Sequence, residues 1–134
     1  MNSPETTIER DLASNFTRML INWGPGILFM ITTGPLGGWA RVVGWTVGLT
    51  WLGGMCMLNF ARCRRVHCIF TGPFFFALAA LTVLGGVGVV PFTNNAWNLL
   101  GLASLVGGVG LTYAPEKRWG RYWRATEKDG DIRL

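Results

Sequence analysis

The chain has 134 residues, half of them hydrophobic and only 14% charged, with 19 Gly, 7 Trp and a formal net charge of +5. Soluble domains carry about a quarter charged residues, whereas here no Asp, Glu, Lys or Arg occurs between Arg65 and Glu116, and Arg41 is the one charge between Met19 and Ala61. That segregation excludes an ordinary soluble globule and points to an all-α polytopic integral membrane protein of about four transmembrane helices in two hairpins.

Residues 1–18 read as an amphipathic N-terminal arm. Thr6 and Glu9 have capping-box spacing, and Ile8, Leu12 and Phe16 recur every four residues as one apolar stripe. An interfacial helix leading into the first span is expected. Glu5, Glu9 and Asp11 stand against a single Arg in the first eleven residues, a pattern unlike a secretory signal.

The membrane domain spans residues 19–114. Its first apolar segment, 19–33, is interrupted by Gly24, Pro25 and Gly26, and fifteen residues rise only about 22 Å, short of a full crossing. This segment either spans or lies re-entrant in the interface. Further spans are expected at 38–60, 73–90 and 96–114, with Pro91 and Asn94-Asn95 turning the chain between the last two. Small residues at four-residue spacing, Ala40, Gly44 and Gly48 on the second span and Ala103 with Gly107 and Ser104 with Gly108 on the last, predict close helix packing, within the chain or against another subunit.

Between the second and third spans lies "ARCRRVHCIFTGP", residues 61–73, with Arg62, Arg64 and Arg65, the only His and two of the three Cys. Thr71-Gly72-Pro73 reads as a helix start, Pro being favoured at the first helical position. Cys63, His67 and Cys68 then occupy a short connection beside a helix N-terminus. The three arginines and the helix dipole there favour thiolates. Cys-x4-Cys with one His is not a zinc pattern, but two thiolates suit soft, low-coordinate Cu(I) or Hg(II). Cys56, seven residues before Cys63, is placed to hand on or receive an ion. The same stretch is equally readable as a charged hinge that fixes topology, or as a contact for anionic lipid.

From Pro115 a basic, aromatic tail, 115–134, is expected at the interface. Lys117, Arg118, Arg121 and Arg124 surround Trp119, Tyr122 and Trp123. Counted over four spans, eleven of the twelve Lys and Arg fall on one side. Both termini and the 61–72 connection are therefore expected in the cytoplasm, most simply at a bacterial inner membrane.

No Ser-His-Asp set, paired carboxylates, phosphate loop or dinucleotide fingerprint is present, so enzymatic chemistry is not expected apart from a membrane thiol oxidoreductase. A small, roughly four-helix membrane protein with sparse cysteines, Cys63 and Cys68 at the cytoplasmic face, resembles the mercuric ion transporters of mercury-resistance operons. Where those proteins carry an adjacent Cys-Cys pair in the first span, the three cysteines here are separate. The resemblance implies soft-metal handling or transport with Hg(II) or Cu(I) as the ion. The alternative is a non-enzymatic scaffold or accessory subunit. Expected partners are the lipid bilayer, a second copy or a larger membrane complex, and not nucleic acid.

Overall fold

The computed structural model describes residues 9–120. These form helices α1 (Phe16–Thr33), α2 (Gly38–Cys63), α3 (Val66–Gly86) and α4 (Asn94–Trp119), with a 3-10 turn at Gly34–Leu36, and no strand among the described residues. Helices α2, α3 and α4 are long and apolar enough to cross a membrane. Helix α1 does not reach that mark, although it runs unbroken through Gly24, Pro25 and Gly26. Its 18 residues rise about 27 Å, short of the roughly 30 Å hydrocarbon core.

Four boundaries differ from the sequence-based expectation. Helix α3 begins at Val66, seven residues before Pro73, so Thr71-Gly72-Pro73 lies inside the helix and does not start it. Pro73 removes one backbone donor there, a loss that helices tolerate where they pack closely on a neighbour. The 61–72 connection shrinks to Arg64 and Arg65, because Arg64 takes the left-handed conformation (φ 52°, ψ 42°) and donates its N–H to the Phe60 carbonyl at 2.8 Å. Helix α4 continues past Pro115 to Trp119, so the tail does not begin at Pro115. Finally, the N-terminal arm is not one helix to Phe16. The chain leaves helical geometry at Asp11, whose Oδ1 accepts the Ala13 N–H at 2.9 Å, and Phe16 is exposed. Thr6 and Ile8 lie outside the described residues, as do Arg121, Tyr122, Trp123 and Arg124.

The helices pack in chain order, α1 on α2, α2 on α3 and α3 on α4. Leu49, Leu52, Phe75 and Ala79 form the buried centre of the α2–α3 hairpin, with Trp23, Met30, Trp45, Phe74 and Leu78 around it. Glycines set the spacing. A Cβ on Gly48 would collide with the Met30 side chain and lie 2.8 Å from the Gly26 carbonyl oxygen, and one on Gly44 would collide with Thr33. The Gly44–Gly48 pair therefore seats α1, while Ala40 is exposed and takes no part. On α4, Gly107 and Gly108 receive the Phe74 and Phe75 rings. Ala103 and Ser104 are half-buried, and Ser104 bonds back to Leu100 O. Gly53 and Gly72, absent from the expected ladders, bring α2 and α3 together, since a Cβ on Gly53 would lie 3.1 Å from the Gly72 carbonyl oxygen.

Candidate functional site

The polar residues of this apolar chain converge at one end of the bundle. Arg65, in the two-residue turn between α2 and α3, places Nη1 2.9 Å from Asp11 Oδ2 and Nε 2.7 Å from Glu116 Oε1. One guanidinium thus ties the segment before α1 and the last turns of α4 to the central hairpin. Asp11 is almost fully buried, and the Arg65 side chain is 11% exposed. Removing charge from water is costly unless it is paired and hydrogen-bonded, which is the condition met here.

Asn59, fully buried on α2, is the hub next to this ion pair. Its Oδ1 accepts the Leu12 N–H at 2.9 Å, and its Nδ2 donates to Asp11 Oδ1 at 3.0 Å. One helical turn on, the Cys63 thiol donates to Asn59 O at 3.0 Å and lies 3.3 Å from Asn59 Oδ1. Cys63 is therefore held on its own helix. Cys68, with no exposed surface, lies 3.7 Å from Asn59 Nδ2 and is near enough to Cys56, on the facing helix α2, for the two thiols to influence each other's ionisation. Of the thiols expected to converge, Cys63 is bonded to Asn59, and Cys68 has Cys56 as a thiol neighbour from α2. Two helices crossing at Gly53 and Gly72 bring these thiols together, which a flexible connection was not needed to do.

His67 occupies the first turn of α3, where its Nδ1 lies 2.6 Å from Glu116 Oε1 and its Nε2 3.3 Å from Cys68 Sγ. A carboxylate at 2.6 Å is an acceptor, so Nδ1 carries the proton and Nε2 offers its lone pair to the Cys68 thiol. The order thiol, imidazole, carboxylate is that of an activated nucleophile, with the base oriented by a third group. Such a set is not legible in the sequence, because Glu116 is 49 residues from His67.

The three arginines do not act together on the thiols. Arg65 is engaged by two carboxylates, while Arg62 and Arg64 are exposed. Lys117 and Arg118 are likewise exposed, and Arg118 lies 5.8 Å from the Trp119 ring, itself stacked on Phe70. Among the described residues, no three of His, Cys, Asp and Glu are grouped to hold a metal ion. What the site offers is a buried two-thiol pair with an adjacent base. Asp11, Asn59 and Glu116 escaped the sequence reading. Asn59 was the one visible signal, as the lone Asn in the second apolar run. Compared with family models, curated proteins and solved structures, the chain matches none.

Proposed function

We propose that the chain is a small integral membrane protein that takes up a soft, low-coordinate metal ion, Hg(II) or Cu(I), between Cys56 and Cys68. The observation that carries this reading is His67 Nε2 3.3 Å from the buried Cys68 Sγ, with Cys56 its thiol neighbour on the facing helix. Thiols must lose protons to bind a metal. His67 Nε2 is placed to accept the Cys68 proton, with Glu116 to stabilise the imidazolium that results, and the Cys56 proton leaves to solvent, so that two protons leave the thiols per ion bound. His67 is then a base and not a ligand. Two thiolates satisfy a soft ion that prefers few ligands, whereas zinc in structural sites wants four. Cys63, bonded to Asn59, stays outside this pair.

The same reading places both ends of the described chain on the cytoplasmic face of a bacterial inner membrane, with α1 as the fourth crossing. The Arg65 contacts to Asp11 and Glu116 support it, because they gather the start of α1, the α2–α3 turn and the end of α4 at one end, where most of the basic residues also fall. Titration of the reduced, detergent-solubilised protein with Hg(II), and with Cu(I) against a competing chelator, tests the proposal. Binding of about one ion per chain is expected, since two thiolates complete one linear site. Cys56→Ser and Cys68→Ser should each abolish it and Cys63→Ser should not.

A second reading, an accessory subunit of a larger membrane complex, draws on α4. It packs mainly on α3, meets α2 only where Trp97 and Gly101 face Arg41 and Trp45, and leaves Leu99, Leu102, Leu105, Val106 and Val109 exposed. Stable co-purification of a membrane partner with no metal binding would favour it.

A further inference from the structure

At the end of the bundle opposite the thiols, Arg41 stands in an open cleft of about 220 Å³ lined by Gly38, Trp39, Gly85, Phe92 and Trp97. Arg41 Nε donates to the Gly34 carbonyl at 2.7 Å, and the guanidinium carbon lies 5.4 Å from the Trp97 ring centroid. Phe92 meets Trp97 edge-on at 5.2 Å, which holds the ring in place. The guanidinium is therefore fixed by one hydrogen bond and one aromatic face. Its two terminal nitrogens make no hydrogen bond among the described residues.

No acidic residue lines the cleft, and Arg41 is the one charge between Met19 and Ala61. One turn deeper, Trp45 packs edge-on against the same Trp97 ring, and its buried Nε1 also lacks an acceptor among the described residues. A half-buried arginine in the first turn of a helix long enough to cross the membrane, without a carboxylate partner among the described residues, is a candidate binding position at the headgroup level. A fork of free N–H donors matches the oxygens of a phosphate, which it can bind in bidentate fashion. The cleft is smaller than the roughly 300–1,000 Å³ of sites for drug-sized ligands. It suits a headgroup and not a large organic molecule.

We propose that this cleft binds a phosphate ester, supplied by the headgroup of an anionic glycerophospholipid, with Arg41 as the phosphate ligand and Trp39 and Trp97 as its aromatic walls. The lipid source follows from the surroundings. Trp39, which lines the cleft, is exposed, as are Val43 and Val87, the chain neighbours of the lining residues Val42 and Gly86, and tryptophans of this kind collect at headgroup level with apolar neighbours against acyl chains. This inference rests on the membrane reading above and not on the metal site.

The test is titration of the detergent-solubilised full chain, followed by native mass spectrometry, with short-chain phosphatidylglycerol, the matching diacylglycerol and glycerol phosphate. Phosphatidylglycerol should bind and the phosphate-free diacylglycerol should not. Arg41→Gln should weaken binding by about tenfold or more, the scale of a lost hydrogen bond to a charged group. Trp39 is 65% exposed, so Trp39→Glu should fold normally. Its carboxylate would sit beside Arg41 and compete with phosphate, which keeps the test decisive if Arg41→Gln is unstable. Arg62→Gln, an exposed residue at the other end, should leave phosphatidylglycerol binding unchanged. Glycerol phosphate binding as tightly as the lipid would support the phosphate site and assign it to a soluble ester. A chain that stays soluble without detergent and still binds glycerol phosphate through Arg41 would keep this site and remove the membrane reading. Equal binding of diacylglycerol, or parent-like binding by both cleft variants, would overturn the proposal.

Discussion

Arg65 and Glu116 are 51 residues apart in the chain, yet Nε of one lies 2.7 Å from Oε1 of the other. The same guanidinium reaches Asp11, so removing it leaves two poorly hydrated carboxylates without their cation. Breaking a buried pair from one side costs about 3–5 kcal/mol. Arg65→Gln should therefore lower stability against denaturant in detergent by that order. Arg65→Gln combined with Asp11→Asn and Glu116→Gln should recover part of the loss, since the stranded charges are then gone. Unfolding of Arg65→Gln at the parent's midpoint would mean that the ion pairs do not hold the bundle end together.

The glycines separate into those that set helix spacing and those that do not. Gly48→Leu and Gly44→Leu should each destabilise by at least the roughly 1–3 kcal/mol of an overpacked core, because Met30, the Gly26 carbonyl and Thr33 occupy the space. Gly72→Ala should cost much less, because its Cβ would lie 2.6 Å from Met57 Sδ, in a flexible and partly exposed side chain that can move aside. Gly54→Ala and Gly110→Ala meet nothing within 4 Å and should be neutral or slightly stabilising in helix geometry. A thermal melt in detergent that ranks all five variants together would contradict this division.

How much of this was legible in the sequence depends on the range of the interaction. The two central apolar helices follow from local hydropathy, and α2 starts where Gly38 predicts. Of the expected α3–α4 turn residues, only Pro91 lies in the turn, and Asn94-Asn95 open α4 after the Thr93 N-cap. Proline misled twice. Pro73 and Pro115 read as boundaries, but both lie inside helices, Pro73 on the exposed side of α3 and Pro115 buried on α4. The turn at Arg64 gave no signal, since a left-handed helix end is usually marked by Gly and here is occupied by Arg. Within the candidate site, the cysteines and histidine stood out as residue types. Their partners Asp11, Asn59 and Glu116 did not, because each belongs to a different segment and only the helix packing brings them together.

Topology provides a further check. Reporter fusions or cysteine labels at Arg64 and Gly120 should report the cytoplasm, and one at Asn94 the opposite side, as α3 and α4 each cross once. A label at Glu9 decides the role of α1, since a cytoplasmic result requires it to span. A label at Glu9 on the side of Asn94 would leave three crossings. It would also be incompatible with the contact between Asp11 and Arg65.

The base assigned to Cys68 can be examined apart from the thiols. His67→Ala and Glu116→Gln should retain the two-sulfur site but bind Hg(II) or Cu(I) more slowly near neutral pH, with the difference narrowing as pH rises and solvent removes the thiol proton instead. A rate equal to the parent's across that range would show that His67 plays no part in proton removal.

The central claim concerns which two sulfurs meet. X-ray absorption at the metal edge of the Hg(II)-loaded Cys63→Ser protein addresses it directly, because Cys56 and Cys68 are then the only cysteines in the chain. The account predicts one ion per chain with two sulfur neighbours, and loss of both when Cys68→Ser is added. A single sulfur neighbour in the Cys63→Ser protein, or two in a Cys56→Ser protein that keeps Cys63 and Cys68, would contradict it.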